Sequence, residues 1–166
     1  MNTRPVQGWA LPATALEVFE DKDRRFLVLN DGRMLRFDGT QAPTVVFGSG
    51  PRPMGLLGEV VLTSDGSSAR LGDLSAREEN VEQAGLITAI AVEGALVVLD
   101  ERGAVRHWTP DGERTVVTGV QSLHDANEDA VLVTQDDALV MHALDGRRTI
   151  WARPVRGQHG ERITAA

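Results

Sequence analysis

The sequence predicts an all-β protein made of four similar units, each with about four short strands. Three observations indicate this class. Short apolar and β-branched runs alternate with turns that contain Asp and Gly along most of the chain. One of these turns recurs at spacings of 34, 37 and 34 residues. Each unit is therefore too short for a separate domain but long enough for one small sheet.

The composition is that of a folded domain with an ordinary core. The chain has 166 residues, of which 42% are hydrophobic, so we expect a single domain over residues 1–166 with a polar tail at 155–166. There is no cysteine, which excludes a disulfide framework, a thiolate nucleophile and a zinc-thiolate site.

The repeat is centred on a β-hairpin that occurs four times, at residues 25–37, 58–71, 95–108 and 130–142. When the copies are aligned on their turns, one column contains Gly32, Gly66, Gly103 and Asp137. A second column, five residues later, contains Phe37, Leu71, Trp108 and His142. The unit boundaries are then about 12–47, 48–86, 87–119 and 120–154.

Further strands flank each hairpin. A candidate strand precedes each one, at residues 15–20, 54–57, 87–92 and 121–126, and a third run follows three of the copies. The central runs, such as 96–99, are apolar on both faces, as expected for a strand covered from both sides. Four-stranded sheets that pack against the sheets before and behind them are the blades of a β-propeller.

A repeat of about 35–45 residues with four strands resembles a β-propeller blade. The resemblance covers roughly residues 12–154 and is to the superfamily of WD40, RCC1 and quinoprotein-like blades, without the Trp-Asp and Gly-His signatures of WD40 repeats. It implies a four-bladed β-propeller or half-propeller of antiparallel blades. A β-trefoil would show three repeats, and a plain β-sandwich does not explain the recurring turn columns.

One segment departs from the strand pattern. Ser75 and Glu78 have the spacing of a capping box, and Gly85 is a suitable C-terminal stop. We expect a short helix near residues 76–84, which replaces or decorates the outer strand of the second unit; an irregular outer strand is the alternative.

Four blades raise the question of ring closure. They can close a small ring alone, or they can form half of a larger ring that a second copy or another chain completes. An open arc would expose apolar faces at both ends, so we expect association, with a homodimer ahead of a heteromer.

One pair of residues in the sequence is a candidate for ligand binding. The pair His124 and Asp125 lies on the upstream strand of the fourth unit, where propellers line their channel, and could bind a ligand. The corresponding regions of the other units offer Glu17, Leu57 and Ala89, which do not converge with it. His107 and His142 fit packing or outward-facing positions, and His159 lies in the polar tail. No catalytic residue, metal site or cofactor is predicted.

The net charge and the hydropathy pattern restrict the class of partner and the compartment. With 17 basic and 24 acidic residues the net charge is -7, which disfavours nucleic acid as a partner. No apolar run suggests a signal peptide or a membrane span, so we expect a cytoplasmic protein. The leading hypothesis is a non-enzymatic scaffold that binds a protein partner or itself. The alternatives are a propeller that binds a small ligand or a sugar in its channel, and an acidic inhibitor or immunity-type partner of a basic protein.

Overall fold

A computed structural model describes residues 8–39, 41–72 and 84–155 of the chain. Over these ranges it contains fifteen strands arranged in four antiparallel sheets, in which neighbours in sequence are also neighbours in the sheet. The chain divides into two compact units, residues 1–83 and 84–166, which are described separately.

The first unit contains two sheets. Sheet 1 consists of β1 (Ala15–Asp21), β2 (Arg24–Leu29), β3 (Met34–Phe37) and β4 (Thr44–Phe47). Sheet 2 consists of β5 (Pro53–Leu57), β6 (Val60–Thr63) and β7 (Ser68–Arg70).

The second unit also contains two sheets. Sheet 3 consists of β8 (Leu86–Val92), β9 (Ala95–Asp100), β10 (Val105–Thr109) and β11 (Gly112–Val117). Sheet 4 consists of β12 (Val120–Ala126), β13 (Ala130–Gln135), β14 (Ala138–Ala143) and β15 (Thr149–Pro154).

These strands confirm the sequence prediction of an all-β fold with four hairpin units. The four upstream strands β1, β5, β8 and β12 lie where they were expected. The expected helix at residues 76–84 lies outside the described residues except for Ala84, which is buried. Nearly all of the polar tail, including His159, is outside them as well. The division into one domain with four blades stays a prediction.

One face of sheet 1 packs against one face of sheet 2. Phe26, Val28 and Met34 share a buried core with Val61 and Ala69. Burying one large apolar side chain contributes about 1.5–3 kcal/mol, so this shared core stabilises the packing of sheet 1 against sheet 2.

Arg24 forms a polar link between sheets 1 and 2. Arg24 hydrogen-bonds to the carboxylates of Asp21 and Glu59. It also donates to the Gly58 carbonyl at 2.9 Å. In this way Arg24 joins the β1–β2 turn to the β5–β6 turn.

In the second unit, sheets 3 and 4 share a core of aliphatic side chains. Its buried members include Val97, Leu99 and Val105 from sheet 3 and Val131 and Val133 from sheet 4. All six residues of β9 are buried, so this strand is covered on both of its faces.

The last residue of β9, Asp100, has a buried carboxylate that organises the following turn. It is 3% exposed, and its Oδ1 accepts hydrogen bonds from the backbone N–H groups of Arg102 and Ala104 at 2.9 and 3.0 Å. Its Oδ2 lies 3.0 Å from Nη2 of Arg106. The charge is therefore both paired and hydrogen-bonded, as a buried carboxylate requires.

The aligned turn column is a column of left-handed backbone. Gly32, Gly66 and Gly103 have φ of 85°, 83° and 79°, and Asp137 has φ of 56°. The first three turns have three-residue loops that need a left-handed residue before the next strand. The fourth is a two-residue turn in which Asp136 is left-handed as well, with φ of 50°. Gly, or more rarely Asp, suits this conformation because other side chains are strained there.

Bulges occur where edge strands pair with their neighbours. The register shifts in the pairing of each first strand, β1, β5, β8 and β12, and of each fourth strand, β4, β11 and β15. The register between the second and third strands is regular in every sheet. The hairpin in the middle of each sheet is thus its regular part.

We expect Gly32→Ala to destabilise the protein much more than Gly58→Ala. Both glycines have positive φ, so both variants carry the backbone strain of about 1–2 kcal/mol. A Cβ at Gly32 would also meet the Gly50 carbonyl oxygen at 2.1 Å, whereas one at Gly58 meets nothing within 4 Å. The clash should add about 1–3 kcal/mol, measured as a lower urea midpoint. Equal midpoints for the two variants would contradict the close approach.

Candidate functional site

The predicted pair His124 and Asp125 lies on β12, at the edge of sheet 4. The register shifts between Leu123 and Asp125, which leaves His124 as the extra residue of a bulge. Its Nε2 lies 2.7 Å from the Thr134 hydroxyl on β13, and Asp125 Oδ1 accepts a hydrogen bond from the backbone N–H of Ala126 at 2.8 Å. The structure places the two residues side by side, each with its own partner.

The pair does not form part of a larger ligand set in the described ranges. Within residues 8–39, 41–72 and 84–155, no group of three or more His, Asp or Glu side chains is placed to hold a metal ion. His124 and Asp125 therefore offer hydrogen-bonding groups at a strand edge. The surface next to them determines what kind of ligand or partner they could contact.

What lies beside them is an apolar surface on the side of sheet 4 away from the core. The register places Trp151 beside Met141, Met141 beside Leu132, and Leu132 beside Asp125. Leu139 follows on the same face, next to Thr134. Trp151 is 39% exposed and the other three apolar residues are half-buried. We call Leu132, Leu139, Met141 and Trp151 the last-sheet face.

Sheet 1 has a comparable surface on the side away from its core. Val18, Leu27, Leu35 and Val45 form one continuous row across all four strands. The middle of the row is covered, since Leu35 is 3% exposed, but Val18 and Val45 at its ends are 57% and 44% exposed. Leu16, on the edge strand β1, is 49% exposed. We call these five residues the first-sheet face.

The sequence did not indicate which residues form these two faces. It predicted that an open arc would expose apolar faces at its ends, but residues that alternate along a strand give no sign of which face is covered. The register between strands supplies that information, because side chains at paired positions share a face. The signal available in the sequence was the position of these strands in the first and last units.

Two further histidines, His107 and His142, lie in half-buried positions. His142 Nε2 lies 2.9 Å from Gln135 Oε1, and burial lowers the pKa of its imidazole. His107 lies 3.3 Å from an Arg114 nitrogen; burial, and then the positive charge of Arg114, lower its pKa.

A carboxyl pair joins two turns of the second unit. Glu128, in the β12–β13 turn, hydrogen-bonds to Glu93, in the β8–β9 turn. This bond, together with repulsion from the Glu93 and Asp129 charges, raises the pKa of Glu128 above its usual value. Repulsion between neighbouring carboxylates disfavours ionising both of them, and the hydrogen bond between them favours the protonated form of Glu128.

Comparisons with known proteins bear on the fold. No protein-family model and no curated protein sequence matches the chain. Among solved structures, it is similar to the crystal structure of the N-terminal domain of Nup159, with 14% identity and a TM-score of 0.52 over 78% of this chain and 41% of that one. That domain is a β-propeller. The fold of this chain is propeller-like.

A second solved structure gives the same result. Human WBSCR16 matches 82% of this chain at 11% identity with a TM-score of 0.56, over 49% of its own length. This chain thus spans less than half of either neighbour. At these identities the likeness concerns the fold alone. In addition, the described residues contain no helix with the length and apolar character that a membrane-spanning segment needs.

We expect His142→Gln to flatten the fall in stability between pH 7 and pH 5. The folded protein lowers the pKa of His142, so it binds this proton less well than the unfolded chain does. Stability from this group is therefore present above the unfolded pKa of about 6.5 and is lost as the pH falls through the folded value. Melting temperatures of wild type and variant at both pH values test this. An unchanged difference between the two pH values would contradict it.

The carboxyl pair should respond in the opposite direction. Because the folded state raises the pKa of Glu128, its contribution to stability is present at low pH and is lost as the pH rises through that pKa. In Glu93→Ala, the pKa of Glu128 should return towards its usual value, measured by a carboxyl-detected NMR titration. Asp145, in another turn, serves as the reference; a shift there of equal size would contradict a local cause.

Proposed function

We propose that the chain is a non-enzymatic protein-interaction scaffold in which the four sheets act as propeller-type blades. It binds a protein partner through the first-sheet face and the last-sheet face. The blade arrangement is supported by the consecutive strand order in every sheet and by the similarity to the propeller domain of Nup159.

The observation that carries the proposal is the exposure of apolar side chains at the two ends of the chain. Leu16, Val18 and Val45 on sheet 1 and Trp151 on sheet 4 are each 39–57% exposed. Exposed apolar patches mostly mark a binding site or an aggregation hazard. Covering it gains about 25 cal/mol per Å² of apolar area, which is the driving force for a partner.

The composition of the faces fits a protein partner better than a small molecule. The first-sheet face spans four strands and the last-sheet face spans three, so each is a row of side chains and neither has been shown to be a pocket. A partner with its own apolar surface can cover such rows, whereas small ligands bind in concave pockets. The polar margin supplied by His124 and Asp125 matches the polar rim of an interface.

The proposal is tested with the full chain in an extract of its own cells. Size-exclusion chromatography should place the wild type above the mass of one chain, and Val18→Asp and Trp151→Asp should each return it to that mass. A charge buried without a partner costs several kcal/mol, so one substitution in a face is sufficient.

The control is Ile87→Asp. Ile87 lies on the edge strand β8 and is 58% exposed, which matches Val18, but it belongs to neither face. This variant should elute with the wild type. A wild type that elutes as a single chain in the extract would overturn the proposal, and so would equal effects of all three substitutions.

A further inference from the structure

We propose that the first unit contains a binding site for a zwitterionic small molecule, an α-amino acid with an apolar side chain. The site is a cavity at the end of sheet 1 that carries the β1–β2 turn, where Lys22 and Asp23 bind the two charges of the ligand. This inference goes beyond the proposed scaffold function and does not depend on it.

The cavity has a volume of about 340 Å³. Its described lining comes from β1, β2, β3 and the turns that follow β1 and β3, and consists of Glu20, Lys22, Asp23, Arg25, Phe37 and Gly39. Small-molecule sites typically have volumes of about 300–1,000 Å³. The cavity therefore has room for a molecule of the size of an amino acid.

The cavity is accessible although part of the same side of sheet 1 is covered. Arg25 lies on the same side as Leu29 and Leu35, which are 0% and 3% exposed. At the turn end, however, the side chains of Arg25 and Glu20 are 74% and 65% exposed. The charged lining is therefore open to solvent, and a small ligand can enter from the turn.

Two of the four charged side chains that line the cavity pair with each other. Arg25 Nε lies 3.2 Å from Glu20 Oε1. Among the described residues, the side chains of Lys22 and Asp23 have no ion-pair or hydrogen-bond partner. The cavity thus presents one available ammonium and one available carboxylate, on adjacent residues.

An α-amino acid carries the complementary charges on a single carbon atom. Its carboxylate fits Lys22 and its ammonium fits Asp23, and hydrogen bonds between charged groups are the strong ones. A simple anion fits less well, because the carboxylates of Glu20 and Asp23 repel it. A metal ion also fits less well, since the described residues contain no group of three or more His, Asp or Glu side chains placed to hold one.

The turn that carries these groups is strained and held in place. Lys22 has φ of 54°, a left-handed conformation that Gly or Asn adopts more easily. It is also the only lysine among the 17 basic residues of the chain. Arg24 fixes the turn through its hydrogen bonds to Asp21 and Glu59. Chain reversal alone does not account for a lysine here, whereas a fixed ammonium beside the cavity does.

Phe37 and Gly39 form the uncharged part of the lining. Phe37 is half-buried and is paired with Arg25 in the register of β2 and β3. Its ring offers an apolar surface for the side chain of the ligand, and an aromatic side chain packs well on it. At Gly39, where φ is 59°, no atom lies within 4 Å of the position of a Cβ. The space next to Gly39 is therefore open.

The experiment is an NMR titration of the purified full-length chain with L-phenylalanine. Binding should occur with a dissociation constant in the millimolar range or below, as expected for a ligand of this size. Two analogues each lack one charge, since phenylpropionate has no ammonium and phenylalaninamide has no carboxylate. Each should bind at least about tenfold more weakly, because one hydrogen bond between charged groups is lost.

Two substitutions assign the charges. Lys22→Gln should weaken the binding of L-phenylalanine and phenylpropionate about tenfold and leave that of phenylalaninamide unchanged. Asp23→Asn should weaken the binding of L-phenylalanine and phenylalaninamide and leave that of phenylpropionate unchanged. The control is Arg70→Gln, which removes an exposed charge of sheet 2 outside the cavity lining and should change none of the three affinities. The same spectra show whether each variant is folded.

Gly39→Leu tests the cavity itself, with Gly94→Leu as its matched control. The two glycines have φ of 59° and 67° and open space at the Cβ position, so leucine has similar backbone strain at both. Of the two, only Gly39 lines the cavity. Gly39→Leu should therefore abolish measurable binding of L-phenylalanine, while Gly94→Leu should bind it as the wild type does.

Three results would overturn the inference. The first is no binding of L-phenylalanine up to its solubility limit. The second is equal affinity for L-phenylalanine and phenylpropionate, which would mean that the ammonium is not recognised. The third is wild-type affinity in both Lys22→Gln and Gly39→Leu, which would place the ligand elsewhere. None of these results bears on the scaffold proposal, whose test measures the mass of a complex in an extract.

Discussion

The fold depends on the need to cover strands that are apolar on both faces. In β9 every residue is buried, and Val97 and Leu99, which lie in the core with sheet 4, alternate with Leu96 and Val98, which are 1% and 3% exposed. A sheet with such central strands is stable only between two covering layers. A stack of such sheets therefore has an uncovered face at each end unless it closes into a ring or acquires a partner.

The turns allow a similar β-hairpin to be built four times from different side chains. Each hairpin reverses through a left-handed residue, and the loop around it is held by local hydrogen bonds, such as Gly32 N–H to the Leu29 carbonyl at 3.0 Å. Because the turn fixes the register, the strands can vary in sequence while their inward and outward positions stay constant. This explains why turn residues align across the units better than strand residues do.

The difference between local turn signals and pairing of distant strands determines how much of the molecule could be predicted from sequence. The hairpins and their turns could be, since Gly and Asp at fixed offsets and short apolar runs are local signals. The bulge at His124 and the buried Asp100–Arg106 pair could not, because they depend on pairing between strands that lack a sequence pattern of their own. The open faces depend on the order in which whole sheets pack, and residues far apart in the chain determine that order.

The bulges also bear on how the protein associates. Sheets can be joined through strand edges or through faces. Here the pairing of every first and fourth strand is shifted in register, which twists the edges and hinders the addition of another strand. On the faces, by contrast, Val18, Val45 and Trp151 remain 39–57% exposed. His124 is the bulge residue of β12. It also borders the last-sheet face, because its side chain hydrogen-bonds to Thr134. A partner on that face would cover the His124–Thr134 hydrogen bond, so ligand binding at His124 and association through this face would compete for the same surface.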